Sequence, residues 1–182
     1  MVAPAPNVVK ALTDKLRTVP DFPKPGIRFK DITPILQDPT TLQMAVDVLA
    51  QRFQEDAIDA VVGIESRGFI LGAPLAVKLE AGFIPVRKRG KLPAQVRRAS
   101  YALEYGTDEI EIHADAIRTG QRVLVHDDLL ATGGTLGAAI ELVQALGGTV
   151  VGVAVLIELS FLKGAARLAP HEVFSVIRID AE

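Results

Sequence analysis

The chain has 182 residues, 49% of them apolar, which suits one domain with a packed core and argues against disorder. A net charge of −2 argues against a general nucleic-acid binder, and the absence of cysteine excludes disulfides and thiolate metal sites. No apolar run reaches membrane-spanning length and no signal-peptide pattern opens the chain, so the expectation is a cytoplasmic protein without a membrane partner.

In chain order, Val8, Val9, Leu12, Leu16 and Val19 form one stripe and predict an amphipathic helix over 8–19. Pro20, Pro23, Pro25 and Gly26 then form a shaped loop, because each proline fixes its own φ and biases the preceding residue toward extended structure. Leu42, Val46, Leu49 and Phe53 repeat at helical spacing. Strands are expected over Ala60–Ile64, Phe83–Val86, Arg122–Asp127 and Val150–Glu158, with helices over Gly68–Leu79 and Leu136–Leu146. Tyr101–Tyr105 and Glu109–His113 read as paired strands around Gly106 and Asp108. Such alternation predicts an α/β fold with a mostly parallel twisted sheet flanked by helices, and ligands beyond the carboxyl ends of its strands.

Two loops lie at such ends. Glu65-Ser66-Arg67-Gly68 follows one strand and places a permanently charged fork near a helix N-terminus, which suits a diphosphate as well as an ordinary surface turn. The stretch Val123–Thr135 is more specific. An apolar strand stops at Asp127 and Asp128, a loop closes with Ala131, Thr132, Gly133, Gly134 and Thr135, and a helix follows. Glycines allow backbone N–H groups to turn toward a phosphate, the helix end adds unpaired donors, and the threonines add hydroxyls. Carboxylates only accept hydrogen bonds, so the acidic pair suits neighbouring ribose hydroxyls rather than the phosphate. The dinucleotide fingerprint and the P-loop fit less well, the first because Thr132 stands where a glycine is needed and the second because no Gly-Lys-Ser/Thr occurs.

Arg87, Lys88, Arg89, Lys91, Arg97 and Arg98 form a basic run without acidic residues, readable as a solvated loop or a polyanion site; it holds no aromatic residue to stack on bases. His113, His126 and His171 are scattered and offer no metal-ligand spacing.

The stretch Val123–Thr135 resembles the phosphoribosyl diphosphate (PRPP) motif of the type I phosphoribosyltransferases. Four further segments narrow the resemblance to the adenine phosphoribosyltransferases: PDFPKPGIRFKDITPIL from Pro20, GIESRGFILGAPLA from Gly63, PVRKRGKLP from Pro85 and YALEYGTDEIEIHADAI from Tyr101. The resemblance implies the type I phosphoribosyltransferase fold in one domain over 1–182, with an N-terminal hood at about 20–36 and a mobile β-hairpin lid at about 94–113. It implies conversion of adenine and PRPP to AMP and pyrophosphate with Mg²⁺, a purine-salvage reaction, in a homodimer.

By the same resemblance Ser66 and Arg67 hold the pyrophosphate end of PRPP, in a loop that often carries a non-proline cis peptide before the serine. Arg87, Lys88 and Lys91 lie near the diphosphate, Asp127 and Asp128 hold the ribose, Ala131 to Thr135 hold the 5′-phosphate, and Tyr105 belongs to the PRPP/AMP site. Phe29 and Leu129 contact opposite faces of adenine, backbone groups of Arg28 and Lys30 read its edge, and Glu104 of the lid acts at the base as proton acceptor or electrostatic stabiliser. Magnesium is expected mainly through PRPP and water rather than protein ligands. Two departures stand out: Glu65 occupies a position that is Asp in the commonest animal members, and His126 stands where an apolar residue is usual. A transferase for another purine, or a PRPP- or AMP-sensing regulator without turnover, remains an alternative.

Overall fold

The computed structural model describes residues 4–102 and 107–181. Its centre is a seven-stranded sheet in the order β5-β6-β4-β3-β7-β8-β9. The strands are β3 (Ala60–Ile64), β4 (Gly82–Lys88), β5 (Val96–Ala102), β6 (Thr107–His113), β7 (Arg122–Leu130), β8 (Thr149–Leu159) and β9 (Val173–Ile179). From β4 to β9 neighbouring strands are parallel, whereas β6 runs antiparallel to both β4 and β5. Helices α1 (Pro6–Lys15), α2 (Thr33–Gln37), α3 (Pro39–Phe53) and α4 (Arg67–Lys78) precede or interleave these strands, followed by α5 (Gly134–Ala145) and the short α6 (Gly164–Arg167).

The two faces of the sheet carry separate cores. One joins Leu12, Ile35, Leu49, Phe53, Leu71 and Leu75 from α1 to α4. The other joins Leu136, Ala139, Ile140 and Val143 of α5 with Val123, Val125 and Val153. Leu49, Leu71 and Leu75 are fully buried, which contributes about 1.5–3 kcal/mol for each side chain. This division positions the site. The chain leaves β3 through α4 on one face and leaves β7 through α5 on the other, although β3 and β7 are neighbours. Diverging connections from adjacent parallel strands open a crevice at their carboxyl ends.

The helix expected over 8–19 ends at Lys15. Arg17–Pro20 instead forms β1, antiparallel to β2 (Arg28–Asp31). Pro20 biases Val19 toward extended backbone, and Arg17 Nε donates to Asp31 Oδ2 at 2.9 Å across the pair. Asp38 starts α3 by accepting from the N–H groups of Thr40 and Thr41, with Pro39 at the first helical position. Strand β7 continues to Leu130 rather than stopping at Asp127, because the long β8 pairs with it as far as Leu130↔Glu158. In the edge hairpin, Arg97 and Arg98 lie within β5, and Asp108 is a strand residue opposite Tyr101 rather than part of the turn.

His126 is fully buried in the middle of β7, with Nδ1 3.0 Å from the Ala154 carbonyl, so the neutral ring donates there. Burial lowers its pKa from the ordinary 6.5 to about 4, against the opposing pull of the Ala154 carbonyl. Below pH 6.5 the unfolded chain takes up a proton that the folded chain refuses, so this contribution is intact above pH 6.5 and is lost as pH falls toward 4. The loss amounts to about 3 kcal/mol at 1.36 kcal/mol per pH unit. Thermal unfolding of the wild type and His126→Asn from pH 7.5 to 4 should give a shallower acid decline in the variant; parallel curves would contradict the burial argument.

Candidate active site

Helix α5 begins at Gly134 with no side-chain cap and no acidic residue in its first turn. Its first N–H donors are therefore left for another acceptor. They open onto a pocket lined by Asp127, Leu129, Leu130 and the run Ala131 to Leu136. Gly133 sits in the left-handed region at φ +80°, which a side chain would strain, and an added Cβ would also lie 2.9 Å from the Gly164 carbonyl oxygen. Gly164 in turn has no room for a Cβ against the Ala131 carbonyl. The loop is thus clamped from behind by the segment after β8. Sequence reasoning passed over Gly164, whose only local signal is a glycine following Lys163 and preceding two alanines.

The two carboxylates of the acidic pair sit in different surroundings. Asp127 lines this pocket, whereas Asp128 is 3% exposed and faces Arg67, with Arg67 Nε 3.1 Å from Asp128 Oδ2. Burial raises both carboxyl pKa values, Asp127 well above the usual carboxylate range. The charge of Asp128 adds to the rise at Asp127, while Arg67 pulls Asp128 back down. Arg67 opens α4, another helix without a side-chain cap. Its guanidinium carbon lies 5.0 Å from the Phe29 ring centroid, a cation–π contact, and its buried Nη1 has no hydrogen-bond partner among the described residues. Phe29 also meets Phe22 edge-on at 5.1 Å. The structure therefore gathers Phe29, Arg67 and Asp128, three residues distant in sequence. Arg28 is exposed, and Lys30 is half-buried with Nζ donating to Thr18 Oγ1 at 3.1 Å. Leu129 lines the same pocket as Asp127.

The peptide between Glu65 and Ser66 is cis. Glu65 accepts from Arg87 Nε and Nη2, at 3.1 Å each, and from the Lys88 N–H at 3.1 Å. Arg87 Nη1 donates to the Lys91 carbonyl at 3.0 Å, so all three Arg87 nitrogens hold protein acceptors. Lys88 pairs with Asp108 at 3.5 Å, and the Ser66 and Lys91 residues are exposed. The first part of the basic run, residues 87–92, is thus a braced turn rather than a free charged loop. Glu104 and Tyr105 lie outside the described residues. Tyr101, which was not among the expected site residues, is buried on β5 and donates to Asp108 Oδ2 at 3.1 Å. Among the described residues no three His, Cys, Asp or Glu side chains cluster to hold a metal ion.

Residues 31–181 match the family model described as phosphoribosyl transferase domain. The adenine phosphoribosyltransferase of Sorangium cellulosum (strain So ce56) is 55% identical over 98% of this chain and 92% of its own length. The crystal structure of adenine phosphoribosyltransferase from Rhodothermus marinus DSM 4252 superposes with a TM-score of 0.92 at 57% identity, covering 96% of this chain and all of that one. The Saccharomyces cerevisiae enzyme, crystallised with an imino-altritol bisphosphate and adenine, gives a TM-score of 0.90 at 41% identity over 95% of this chain and all of its own. With the cradle at α5, the acidic pair and the braced basic turn in place, the chain belongs to the phosphoribosyl transferase domain family and, within it, to the adenine phosphoribosyltransferases.

Proposed function

We infer that this protein transfers the 5-phosphoribosyl group of PRPP to adenine, giving AMP and pyrophosphate. The observation that carries the inference is the uncapped N-terminus of α5 behind Ala131–Thr135, set directly beside Asp127. Donors and an acceptor line the same pocket, as a 5′-phosphate and a ribose diol on one ligand require. In the reaction a bond forms between N9 of adenine and C1 of the ribose, and the bond from C1 to the diphosphate oxygen breaks. Pyrophosphate leaves with the bonding electrons, and the N9 proton is lost.

Each group then has a task. The α5 cradle anchors the phosphate, and Asp127 and Asp128 accept from the ribose hydroxyls and offset the positive charge of an oxocarbenium-like ring. Ser66, Arg67, Lys88 and Lys91 receive the diphosphate, Arg67 through its unpartnered Nη1. Arg87 acts through the turn it braces. Phe29 and Leu129 enclose the base. Backbone groups of Arg28 and Lys30 pair with the N1 acceptor and 6-amino donor of adenine; a 6-oxopurine reverses both roles and leaves buried groups unpaired, at about 1–3 kcal/mol each. Tyr105 completes the PRPP side, and Glu104 places a carboxylate at the base. In this reading the β1–β2 hairpin is part of a hood over 20–36, and the β5–β6 hairpin is a closing lid over 94–113 that excludes water, both within one domain over 1–182. Magnesium would lower the charge of the diphosphate, and in this reading the ion arrives mainly through PRPP and water. PRPP and AMP are too charged to cross a bilayer unaided, which supports work in the cytoplasm. No helix among the described residues is long and apolar enough to cross a membrane.

A homodimer is part of the same reading. Ile70 and Val77 stand exposed on α4, Val77 at 78%, beside Leu42, Val46 and Pro74 in an apolar groove between α3 and α4. A second copy covering this face would lie next to the helix that starts at Arg67. Light scattering at micromolar concentration should give twice the 19.5 kDa of one chain. A species of 19.5 kDa alone would refute the dimer.

Purified protein with PRPP and Mg²⁺ should convert adenine far faster than hypoxanthine, guanine or xanthine, and chelating the metal should stop conversion. Comparable turnover of an oxopurine would overturn the adenine assignment, and PRPP binding without turnover of any base would point to a sensor. In the same panel Glu104→Ala should lower kcat by about 10²–10⁴-fold while AMP binding changes less. Wild-type kcat would remove Glu104 from the chemistry.

A further inference from the structure

We propose that Glu111 is a positioning residue for the diphosphate site: its buried carboxylate shapes the basic turn 88–92 and ties that turn to the β5–β6 hairpin. The proposal rests on the function inferred above. Glu111 lies on β6, opposite Arg87 of β4 on one side and Arg98 of β5 on the other. It is 1% exposed. A carboxylate is almost never buried so deeply unless its oxygens are satisfied. Here Oε1 accepts from the backbone N–H groups of Lys91 and Leu92, at 3.0 Å each, and Oε2 accepts from Arg98 Nε at 3.2 Å. Burial alone would raise the pKa of Glu111, but the donors of Leu92, Arg98 and Lys91 outweigh it and hold the group below the usual range, so it is charged at neutral pH.

The effect on the site runs through one residue. Lys91 is held from both ends: its N–H by Glu111 and its carbonyl by Arg87. Arg87 is itself held by Glu65, the residue preceding Ser66 in the diphosphate loop. A continuous line of hydrogen bonds therefore runs from the diphosphate loop through Arg87, Lys91 and Glu111 to Arg98 on the hairpin. Glu111 touches no substrate in this account. It fixes the backbone from which Lys88 and Lys91 project, whereas Phe29 and Leu129, expected to enclose adenine, belong to other elements, and Glu104 of the hairpin is assigned to the transfer step rather than to capture of the base. Loss of the carboxylate should therefore weaken PRPP capture and leave adenine capture nearly intact. A carboxylate that merely filled the core would lower stability and the yield of folded protein without separating the two substrates.

The test compares the wild type with Glu111→Ala, Glu111→Gln and the double variant Glu111→Gln/Arg98→Leu, each checked for fold by circular dichroism. Leaving the Leu92 N–H without its acceptor and the Lys91 N–H with only the Lys88 carbonyl, 3.2 Å away, should raise KM for PRPP by about tenfold or more in Glu111→Ala, with KM for adenine within about twofold. Amide hydrogen exchange in the free protein should speed up by a similar factor at Leu92 and by less at Lys91, whose N–H keeps the Lys88 carbonyl. Glu111→Gln keeps an acceptor oxygen but turns an amide NH₂ toward Arg98, so it should raise KM for PRPP as well. Removing Arg98 in the double variant should bring that KM back toward the wild-type value. If Glu111→Ala fails to fold, the Gln variant and its rescue decide. Equal changes in both KM values, an unchanged KM for PRPP in folded variants, or unchanged exchange at Lys91 and Leu92 would overturn the proposal. A wild type that converts no adenine would instead overturn the function inferred above, and the exchange measurement would still judge the bracing by Glu111.

Discussion

The contact between Arg67 and Asp128 holds the crevice together. Two adjacent carboxylates at the end of a buried strand repel each other and lose hydration, and both costs appear as raised pKa values. Arg67 offsets part of that cost from the first turn of a different helix, 3.1 Å from Asp128. The same guanidinium lies over Phe29, so one side chain joins the β1–β2 hairpin, the loop between β3 and α4, and the acidic strand. Removing Arg67 would leave the Asp128 carboxylate buried without its counter-charge. The geometry of the site therefore depends on Arg67 as much as on any group expected to meet a reacting atom.

Around that contact the molecule separates opposite electrostatic tasks over a short distance. The N-termini of α4 and α5 present donors without side-chain caps, and the end of β7 presents acceptors. The divergence of α4 and α5 to opposite faces keeps both sets pointing into one crevice. Rigid backing makes the arrangement durable. Gly164 presses on Ala131, Glu65 grips Arg87, and Glu111 grips the amides of Lys91 and Leu92. Preorganised donors and acceptors of this sort need no rearrangement as charge develops on a leaving diphosphate.

The parts of this account legible in the sequence are those written locally. The strand, acidic pair, Thr/Gly loop and helix of Val123–Thr135 lie within a few residues of one another, and their order holds even though β7 runs three residues further than expected. What escaped depends on distant partners. The bracing of Arg87 by Glu65 spans 22 residues, and that of Lys91 by Glu111 spans 20. The clamp of Gly164 on Ala131 likewise exists only once β8 has taken its place. The apolar stripe from Val8 to Val19 continued through Arg17–Pro20, but hydrogen bonding to β2 overrode it. The strand Val173–Ile179 drew no expectation, since a short apolar run beside Pro170 carries little periodic signal.

The central claim is that Asp127 and Asp128 bind the ribose of PRPP while the loop behind them holds its phosphate. Calorimetric titration of PRPP and AMP into Asp127→Asn and Asp128→Asn tests it most directly, once circular dichroism shows that both variants are folded. Each substitution keeps the side-chain shape and replaces an acceptor-only anion with an amide. Loss of a hydrogen bond to a charged group should weaken both ligands by about 10- to 100-fold. Wild-type affinity in folded Asp127→Asn and Asp128→Asn would contradict the account.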